Sequence, residues 1–327
     1  MSTITLEELN QEEIRTYLKK VLKCKEISAF TMLPSAVNTT FMFSAEDKKY
    51  VMKLMTTPTT AEWEKYRFDK VGKLFEKLAN NPNIPAPQVI YTENSEKILG
   101  YRFIIISYVE GENLWNIWRN LSQEEIIPIA RELGKIVKEI HSIKYDFFGE
   151  IEDIESAERY YDYKDKILKQ LEEYVKIILE RKVLPEELVV KVQKYILANI
   201  DEMYVPAKAC LLHNDIHQGN LIVKKDAQGI YKIQALLDWE WACADNPIED
   251  IIYIEENVLQ DPEVKQAFYS EYYQGEHKNL DAFAVDIKLF NILWKLDDIV
   301  CGWTFHNPTS ENLTNAKIDL ENLLGEN

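Results

Sequence analysis

The chain has 327 residues, 46% of them hydrophobic, and a formal net charge of −17 at pH 7. This length and hydrophobic content predict a folded protein with a substantial core, and they exclude a disordered chain. The acidic balance argues against a nucleic acid partner, because phosphate backbones require a basic face.

The N-terminal part alternates helices and strands. The segment Thr5-Leu-Glu-Glu8 resembles a capping box and predicts an amphipathic helix that runs to about Leu22. The residues after Ser35 lead into a strand, and Lys53 lies on another strand between apolar neighbours. A buried ammonium group requires an anionic partner. The next helix is predicted at residues 61–78.

The middle of the chain changes from strand to helix. The apolar run at 103–111 ends in a polar turn closed by glycine, as an interlobe hinge would require, although an ordinary edge strand has the same pattern. Residues 131–141 have helical apolar spacing and end in His141, for which we predict a structural role. Further helices are predicted at 165–184 and 185–199.

The most informative segment is a predicted β-hairpin at residues 221–237, with its turn at 226–229. A hairpin brings its outer ends together, so Asp215, Asn220 and Asp238 converge on one point. Phosphoryl transfer requires such a set: one carboxylate accepts the proton of a hydroxyl, while an amide oxygen and a second carboxylate hold Mg²⁺. A polar loop in an unrelated α/β protein is the alternative.

These residues form a paired motif, His213-x-Asp215-x4-Asn220 with Asp238-Trp-Glu240. It resembles the catalytic core of the aminoglycoside phosphotransferase and choline kinase superfamily, which is related to the protein kinases. The protein-kinase counterparts are His-Arg-Asp…Asn and Asp-Phe-Gly. The departures from both counterparts indicate the small-molecule branch of that superfamily.

The resemblance implies an α+β, two-lobed, protein-kinase-like fold. We expect an N-terminal nucleotide-binding lobe with an antiparallel sheet at residues 1–107. A mostly helical catalytic and acceptor-binding lobe is expected at 108–327.

The resemblance also implies a site for ATP or GTP. Lys53 matches the lysine that binds the α- and β-phosphates of the nucleotide, which makes it a catalytic residue. The loop over the phosphates contains no glycine, but Ser35, Asn38 and Thr39 fit the serine- and asparagine-bearing form of that loop. An ordinary hairpin turn is the alternative for this loop.

In the resembling family an acid on the following helix orients the lysine. The usual slot falls near Lys70 or Val71, neither of which is acidic. Glu64 lies two turns earlier on the same face as Val71, and Asp69 is nearer but rotated. Glu64 is therefore the predicted partner of Lys53.

The remaining nucleotide and catalytic roles follow from the same resemblance. Backbone groups of Ser107 and Val109 would read the adenine ring. Asp215 would be the general base, while Asn220 and Asp238 would be the ligands of Mg²⁺.

Four neighbouring residues have supporting or open roles. His213 is expected to hold the catalytic loop, and Asp250 is expected to bond to that loop. His217 either contacts phosphate or packs as an ordinary histidine. Glu240 is either a further metal ligand through water or a structural acceptor.

The acceptor pocket is expected between the catalytic loop and the C-terminal helices. Carboxylates combined with aromatic rings suit an aminated sugar or a quaternary ammonium group, although several of the same residues fit a core or an exposed helical face. The candidates are Trp241, Glu255, Glu256, Asp297, Asp298 and Trp303.

The sequence therefore predicts a kinase that transfers the γ-phosphoryl group of ATP or GTP to a hydroxyl of a small, cationic molecule. An aminoglycoside or related antibiotic is favoured, and a metabolic kinase for choline, an amino sugar or an amino alcohol is the alternative. A nucleotide-binding pseudokinase belongs to a different class and stays open.

We expect this kinase to be a cytoplasmic monomer or dimer that does not associate with membranes, because no apolar run approaches spanning length. The four cysteines show no metal-like spacing, so we expect reduced, buried thiols. They are Cys24, Cys210, Cys243 and Cys301.

Overall fold

The computed structural model describes residues 5, 7–35, 38–56, 67–151, 158–273, 283–301 and 310–325. The first part of the chain contains a five-stranded antiparallel sheet, whose strands lie in the order β1-β2-β3-β5-β4. Its strands are β1 (Thr31–Met32), β2 (Thr39–Ala45), β3 (Lys48–Leu54), β4 (Val89–Glu93) and β5 (Phe103–Ser107).

This sheet and helix α1 (Gln11–Leu22) bury a small core of their own. Side chains along β2 alternate between buried and half-buried, as expected for a strand with one face against a core. Phe41, Phe43 and Met52 of the sheet share this core with Leu18 of α1. The strand predicted around Lys53 is confirmed as β3.

Helix α1 begins later than the sequence predicts. The Thr5 N–H does donate to the Glu8 carboxylate at 2.7 Å, but the backbone bond from Glu8 N–H to the Thr5 carbonyl closes only a turn. A second cap follows, because the Asn10 side chain accepts from the N–H of Glu13 at 3.2 Å. The continuous helix therefore begins at Gln11.

Helix α2 (Arg67–Leu78) is the described part of the helix predicted over 61–78. Its buried side chains belong to the larger core of the second half. The Phe75 ring packs edge-on against Trp239, with ring centroids 6.3 Å apart. Helix α2 therefore links the first sheet to the catalytic part of the chain.

The rest of the described chain is mostly helical, which confirms the predicted α+β fold with an N-terminal antiparallel sheet. The prediction for 165–184 ran too far, because the helix ends at Glu180 and Lys182 has a φ of 54°. The helices are α3 (Leu114–Ile117), α4 (Gln123–Ser142), α5 (Tyr163–Glu180), α6 (Glu186–Asn199), α7 (Pro247–Asn257), α8 (Pro262–Tyr272), α9 (Ala284–Cys301) and α10 (Ser310–Leu324).

Two small sheets lie among these helices. One has the order β7-β10-β13-β8-β9 and the other β12-β11-β6, in which β11 and β12 form the predicted hairpin. The Leu237 N–H donates to the Asn220 carbonyl at 2.8 Å, so the outer ends of the hairpin do meet. The strands are β6 (Glu112–Asn113), β7 (Lys144–Tyr145), β8 (Phe148–Gly149), β9 (Arg159–Tyr160), β10 (Ala209–Leu212), β11 (Leu221–Lys225), β12 (Tyr231–Leu236) and β13 (Cys243–Asp245).

Three cysteines, Cys24, Cys210 and Cys243, are free thiols, and the side chain of Cys301 lies outside the described residues. Within the described ranges, no helix combines the length and apolar character needed to cross a membrane.

The chain passes from the first sheet into the helical part through Gly111. Strand β5 ends at Ser107, and β6 then pairs with β11; the lobe boundary at 107/108 itself stays a prediction. Gly111 has a φ of +153°, and a Cβ atom there would lie 2.6 Å from both the Val223 carbonyl oxygen and the Ile222 side chain. Only glycine permits this close approach.

We predict that Gly111→Ala lowers the free energy of unfolding by about 3 kcal/mol, because it adds a backbone collision to an unfavourable φ. Gly100→Ala is the matched control, since Gly100 also has a positive φ (+73°) but has open space around it. Its loss should be about 1 kcal/mol. Urea denaturation of both variants measures the difference, and equal losses would contradict the close-packing argument.

Candidate active site

The catalytic loop follows β10 and is held by a carboxylate from α7. Asp250 accepts hydrogen bonds from the backbone N–H groups of His213 at 3.0 Å and Asn214 at 2.7 Å. Asn214 has a φ of 63°, in the left-handed region that costs energy for a residue with a Cβ atom. The predicted contact between Asp250 and the loop is therefore present.

His213 is buried and bonded on both ring nitrogens. Its Nδ1 accepts from the Asp215 N–H at 3.2 Å, so its Nε2 carries the proton and donates to the Leu237 carbonyl at 2.8 Å. Burial lowers the pKa of His213, although the nearby Asp250 acts in the opposite direction. The ring is thus a neutral support of the loop, in agreement with its predicted role.

Asp215 has hydrogen-bond donors on both carboxylate oxygens. Asn220 Nδ2 donates to Oδ2 and to the Asp215 backbone carbonyl, both at 2.9 Å. The Tyr253 hydroxyl donates to Oδ1 at 3.0 Å. Burial raises the pKa of Asp215, while His217 and Tyr253 oppose that rise. A carboxylate with a raised pKa is a better base for a hydroxyl proton.

His217 lies beside the same carboxylate. Its Nδ1 accepts from the Gly219 N–H at 3.0 Å, so its Nε2 carries the proton, 3.7 Å from Asp215 Oδ1. The distance is longer than a hydrogen bond, so His217 is a neighbour of the candidate base, and the two roles that the sequence left open for it stay open.

Lys53 connects the first sheet to the Asp-Trp-Glu segment. Its Nζ lies 2.9 Å from Asp238 Oδ1 and also pairs with Glu240. Burial alone would lower the pKa of Lys53, but Glu240 and Asp238 outweigh it and raise that pKa. For Asp238, burial favours a higher pKa, and the neighbouring Lys53 reverses this and lowers it. The lysine is therefore held in its charged form.

The pairing of Lys53 with Glu64 stays a prediction. Glu64 lies outside the described residues, and Asp69 instead pairs with Lys73 at 2.8 Å. Among the described acids, Asp238 and Glu240 hold the lysine. Helix α2 contributes a cation rather than an acid, because Arg67 Nη1 bonds to Glu240 Oε2 at 3.1 Å.

Asp238 and Glu240 lie on one short turn. Asp238 has the left-handed angles φ 64° and ψ 59° and precedes a 3₁₀ helix at Trp239–Trp241. This turn directs both carboxylates to Lys53. The i, i+2 spacing in Asp-Trp-Glu was the available signal for this pairing.

The remaining nucleotide candidates lie at the ends of the first sheet. Asn38 and Thr39 are buried and Ser35 is exposed. The Thr39 hydroxyl lies 3.1 Å from that of Thr56, which joins the ends of β2 and β3. The nucleotide-binding roles of Ser35, Asn38 and Thr39 stay predictions.

The hinge candidates follow the last hydrogen bonds of the first sheet. The Ser107 N–H donates to the Gln88 carbonyl at 2.8 Å, and the Tyr108 N–H donates to the Lys49 carbonyl at 3.2 Å. The chain then leaves the sheet at Val109. The adenine contacts of Ser107 and Val109 stay predictions.

The donor set near Asp215 fits magnesium better than a transition metal. The amide nitrogen of Asn220 donates to Asp215, so the amide oxygen Oδ1 of Asn220 is available as a metal ligand. Asp238 supplies carboxylate oxygens. In the described chain, no cluster of three or more His, Cys, Asp or Glu residues could hold a metal. Mg²⁺ in nucleotide sites is held by one or two protein ligands together with phosphates.

A cavity of about 1320 Å³ opens beside Asp215. Ten Asp and Glu side chains and only three lysines line it. Among the predicted acceptor residues, those at the cavity are Trp241, Glu256, Asp297 and Asp298. Three of its tyrosines donate their hydroxyls to carboxylates, as Tyr160 to Glu158 at 2.8 Å, Tyr174 to Asp297 at 2.7 Å and Tyr253 to Asp215 at 3.0 Å.

Two acceptor predictions do not lie in this cavity. Glu255 pairs with Lys265 at 2.8 Å and accepts from the Tyr269 hydroxyl, because it lies on the side of α7 that packs on α8. Glu255 is therefore not part of this cavity. Trp303 lies outside the described residues.

One wall of the cavity carries a buried charge cluster that the sequence did not reveal. Lys166 of α5 pairs with Asp245 and, at 3.6 Å, with Glu249. The Tyr163 hydroxyl donates to Glu249 at 3.3 Å. Burial and the neighbouring Asp245 raise the pKa of Glu249 to about 8, so this carboxyl group retains a proton near neutrality.

The fold and this site define a class: a phosphotransferase that acts on a hydroxyl group. The sequence model of the phosphotransferase enzyme family (APH) matches residues 31–283, which is more than half of the chain. The chain belongs to this family, within the aminoglycoside phosphotransferase and protein-kinase-like superfamily.

Solved structures share the fold over nearly the whole chain. The gentamicin complex of APH(2'')-IIa has a TM-score of 0.69 and 20% identity, and the match covers 98% of this chain and 97% of that one. A thermostable mutant of APH(4)-Ia with AMP-PNP and hygromycin B has a TM-score of 0.68 and 14% identity, with coverage of 96% and 98%.

A curated relative matches a shorter stretch. A subtelomeric hrmA-associated cluster protein of Aspergillus fumigatus is 24% identical over 115 residues, which is 35% of this chain. The matched stretch spans only 22% of that protein's length.

We predict that Asp250→Ala lowers the free energy of unfolding by about 3 kcal/mol, because it leaves the buried N–H of His213 and the partly buried N–H of Asn214 without their acceptor. Asp201→Ala is the control, since the side chain of Asp201 is 88% exposed and pairs with Lys164 at the surface. Urea denaturation measures both variants. A loss for Asp250→Ala no larger than that for Asp201→Ala would contradict this role.

The stability of the protein is expected to depend on pH through Glu249. Because the folded-state pKa of Glu249 is raised from 4.5 to about 8, its stabilising contribution is complete below pH 4.5 and is lost as the pH rises towards 8. Glu249→Gln should flatten the dependence of unfolding free energy on pH in this window, relative to wild type and to exposed Glu202→Gln. Urea denaturation across the pH range tests this; an unchanged slope would show that Glu249 ionises normally.

Proposed function

We propose that this phosphotransferase transfers the γ-phosphoryl group of ATP or GTP to a hydroxyl of a polycationic small molecule, an aminoglycoside or a related aminated antibiotic. The observation that carries the proposal is the acidic cavity that opens onto Asp215. Its excess of carboxylates over lysines makes it suited to several ammonium groups at once.

The nucleotide would lie on the other side of Asp215, near Lys53. That lysine is kept charged by Asp238 and Glu240 and would bind phosphate oxygens. Asn220 and Asp238 would hold Mg²⁺, which supplies charge neutralisation at the phosphates when it is bound. Lys53 and its acids are preorganised for this task by their contacts in the protein.

The chemical step would depend on Asp215. Its carboxylate lines the acceptor cavity, so it can orient a substrate hydroxyl and accept its proton. Burial raises its pKa, which makes the proton transfer more favourable. Positioning and charge neutralisation supply most of the catalysis in this class of reaction.

The size of the cavity favours an aminoglycoside over choline or a small amino alcohol. Sites for drug-sized ligands measure about 300 to 1000 Å³, and this cavity, at about 1320 Å³, can hold several sugar rings. Trp241 already has a cation against its ring, since the Arg67 guanidinium lies 5.1 Å from the ring centroid. That leaves Trp241 less suited to a quaternary ammonium group. The gentamicin and hygromycin B complexes of the structural relatives support the same choice.

Two alternatives make different predictions. A metabolic kinase would accept choline, an amino sugar or an amino alcohol in preference to the antibiotics. A pseudokinase would bind nucleotide without acceptor-dependent turnover. The intact set of Lys53, Asp215, Asn220 and Asp238 favours catalysis over mere binding.

The test is a coupled assay of ADP and GDP release with aminoglycosides, other aminated antibiotics, macrolides, choline and amino alcohols as acceptors. We expect release with aminoglycosides, and we expect Asp215→Asn to reduce it at least ~100-fold because the base is lost. Asp201→Asn, the same change on the surface, should leave the rate unchanged.

The other outcomes are equally informative. Stimulation by choline or amino alcohols alone would replace the antibiotic proposal with the metabolic one. Nucleotide binding without stimulation by any acceptor would favour the pseudokinase. Equal rates in wild type and Asp215→Asn would contradict the assignment of the base.

A further inference from the structure

Tyr253 contacts the candidate base directly, although the sequence did not single it out. Its hydroxyl lies 3.0 Å from Asp215 Oδ1, and Asn220 Nδ2 lies 2.9 Å from Oδ2. Each carboxylate oxygen therefore has its own side-chain donor, one from a tyrosine and one from an amide. Two donors on opposite oxygens fix the rotation of a carboxylate group more firmly than one.

Tyr253 shares a face of α7 with Asp250, three residues earlier, because residues at this spacing are neighbours on a helix. Asp250 accepts from the backbone N–H groups of His213 and Asn214. A single helical face thus holds the backbone of the catalytic loop through one side chain and the carboxylate of Asp215 through another.

The tyrosine ring is itself held in place. Trp294 of α9 packs edge-on against it, with centroids 5.9 Å apart and an interplanar angle of 89°. Tyr253, Trp294 and Asp215 all line the acceptor cavity. The hydroxyl therefore reaches the base from the side on which the acceptor would bind.

A tyrosine suits this position because it donates without carrying a charge. Burial raises the pKa of Tyr253, and the adjacent Asp215 raises it further, so the phenol stays protonated. A lysine or arginine here would place a cation in an acidic cavity and would compete with an ammonium group of the acceptor.

We propose that Tyr253 is the positioning residue of the catalytic base: its hydroxyl fixes the Asp215 carboxylate so that Oδ1 is presented to the acceptor hydroxyl. The proposal rests on the role of Asp215 given under the proposed function. The acceptor hydroxyl would use the second lone pair of Oδ1, next to the phenol. Tyr253 would thereby define the direction from which the acceptor approaches.

The first test is Tyr253→Phe, which keeps the ring against Trp294 and removes only the hydroxyl. We expect kcat to fall roughly tenfold or more, as for a lost hydrogen bond to a charged group, with the KM for nucleotide within about twofold of wild type. Hydrolysis of nucleotide by water, measured without acceptor in the same variants, should fall in parallel because water can replace the hydroxyl.

Tyr269→Phe is the matched control. It removes a tyrosine hydroxyl that also donates to a carboxylate, Glu255, but on the α8 side of α7 and outside the cavity. We expect no change in kcat for this variant. An equal decrease in both variants would point to a general structural effect and would overturn the proposal.

The second test requires no acceptor. Urea denaturation of Tyr253→Phe, Asp215→Ala and the double variant forms a double-mutant cycle. We expect the double variant to lose less stability than the two single losses combined, since both remove the same contact. Additive losses, or an unchanged rate of both transfer and hydrolysis in Tyr253→Phe, would overturn the proposal. If wild type phosphorylates no acceptor, the proposed function fails, whereas hydrolysis and the cycle still decide the role of Tyr253.

Discussion

The Asp250 carboxylate is the interaction on which the catalytic loop depends. It binds the backbone N–H groups of His213 and Asn214, and its Oδ2 also lies 3.1 Å from Nε2 of His141 in α4. The other nitrogen of His141 contacts the Tyr272 hydroxyl of α8 at 2.7 Å. One buried acid therefore joins three helices to a loop whose left-handed residue would be unfavourable in isolation.

A second constraint is the sharing of Glu240 between two cations. Lys53 approaches it from the first sheet and Arg67 from α2. Lys70, one turn further along α2, bonds to the Ala242 carbonyl at 3.2 Å and to Glu150 at 3.3 Å. The described part of the helix, from Arg67 on, supplies these cations, and two acids that bind Lys53 lie on the Asp-Trp-Glu turn. Lys53 is thus oriented by Asp238 and Glu240, and Arg67 and Lys70 of α2 bind the same segment of the chain.

The parts of the site that the sequence predicted depend on local spacing. The hairpin and the approach of Asn220 to Asp215 lie within one continuous segment, where turn residues and alternation are directly readable. Asp238 follows from the same hairpin. The family motif then added Lys53, which lies on a strand with a clear apolar pattern. The fold class, which the structure confirms, followed from the family resemblance that this motif carries.

The parts that were missed depend on how distant elements meet. Arg67 and Glu240 are 173 residues apart, and no local pattern indicates their contact. Glu255 and Glu256 are neighbours in sequence, but adjacent positions on a helix lie about 100° apart, and only Glu256 lines the cavity. Tyr253 lies in a largely apolar helical stretch, where a tyrosine is typical of a core. Only the three-dimensional structure reveals its contact with the candidate base.

The tyrosine–carboxylate pairs of the cavity have a consequence for selectivity. The Tyr174 hydroxyl holds Asp297 and the Tyr253 hydroxyl holds Asp215, so these two carboxylates have set positions before any ligand binds. A polycationic acceptor, as proposed above, would be selected by the distances between its amino groups, because these have to match the positions of the fixed carboxylates. Removal of one amino group from such an acceptor would leave its other contacts intact, so a cavity of this kind would accept related molecules with graded affinity.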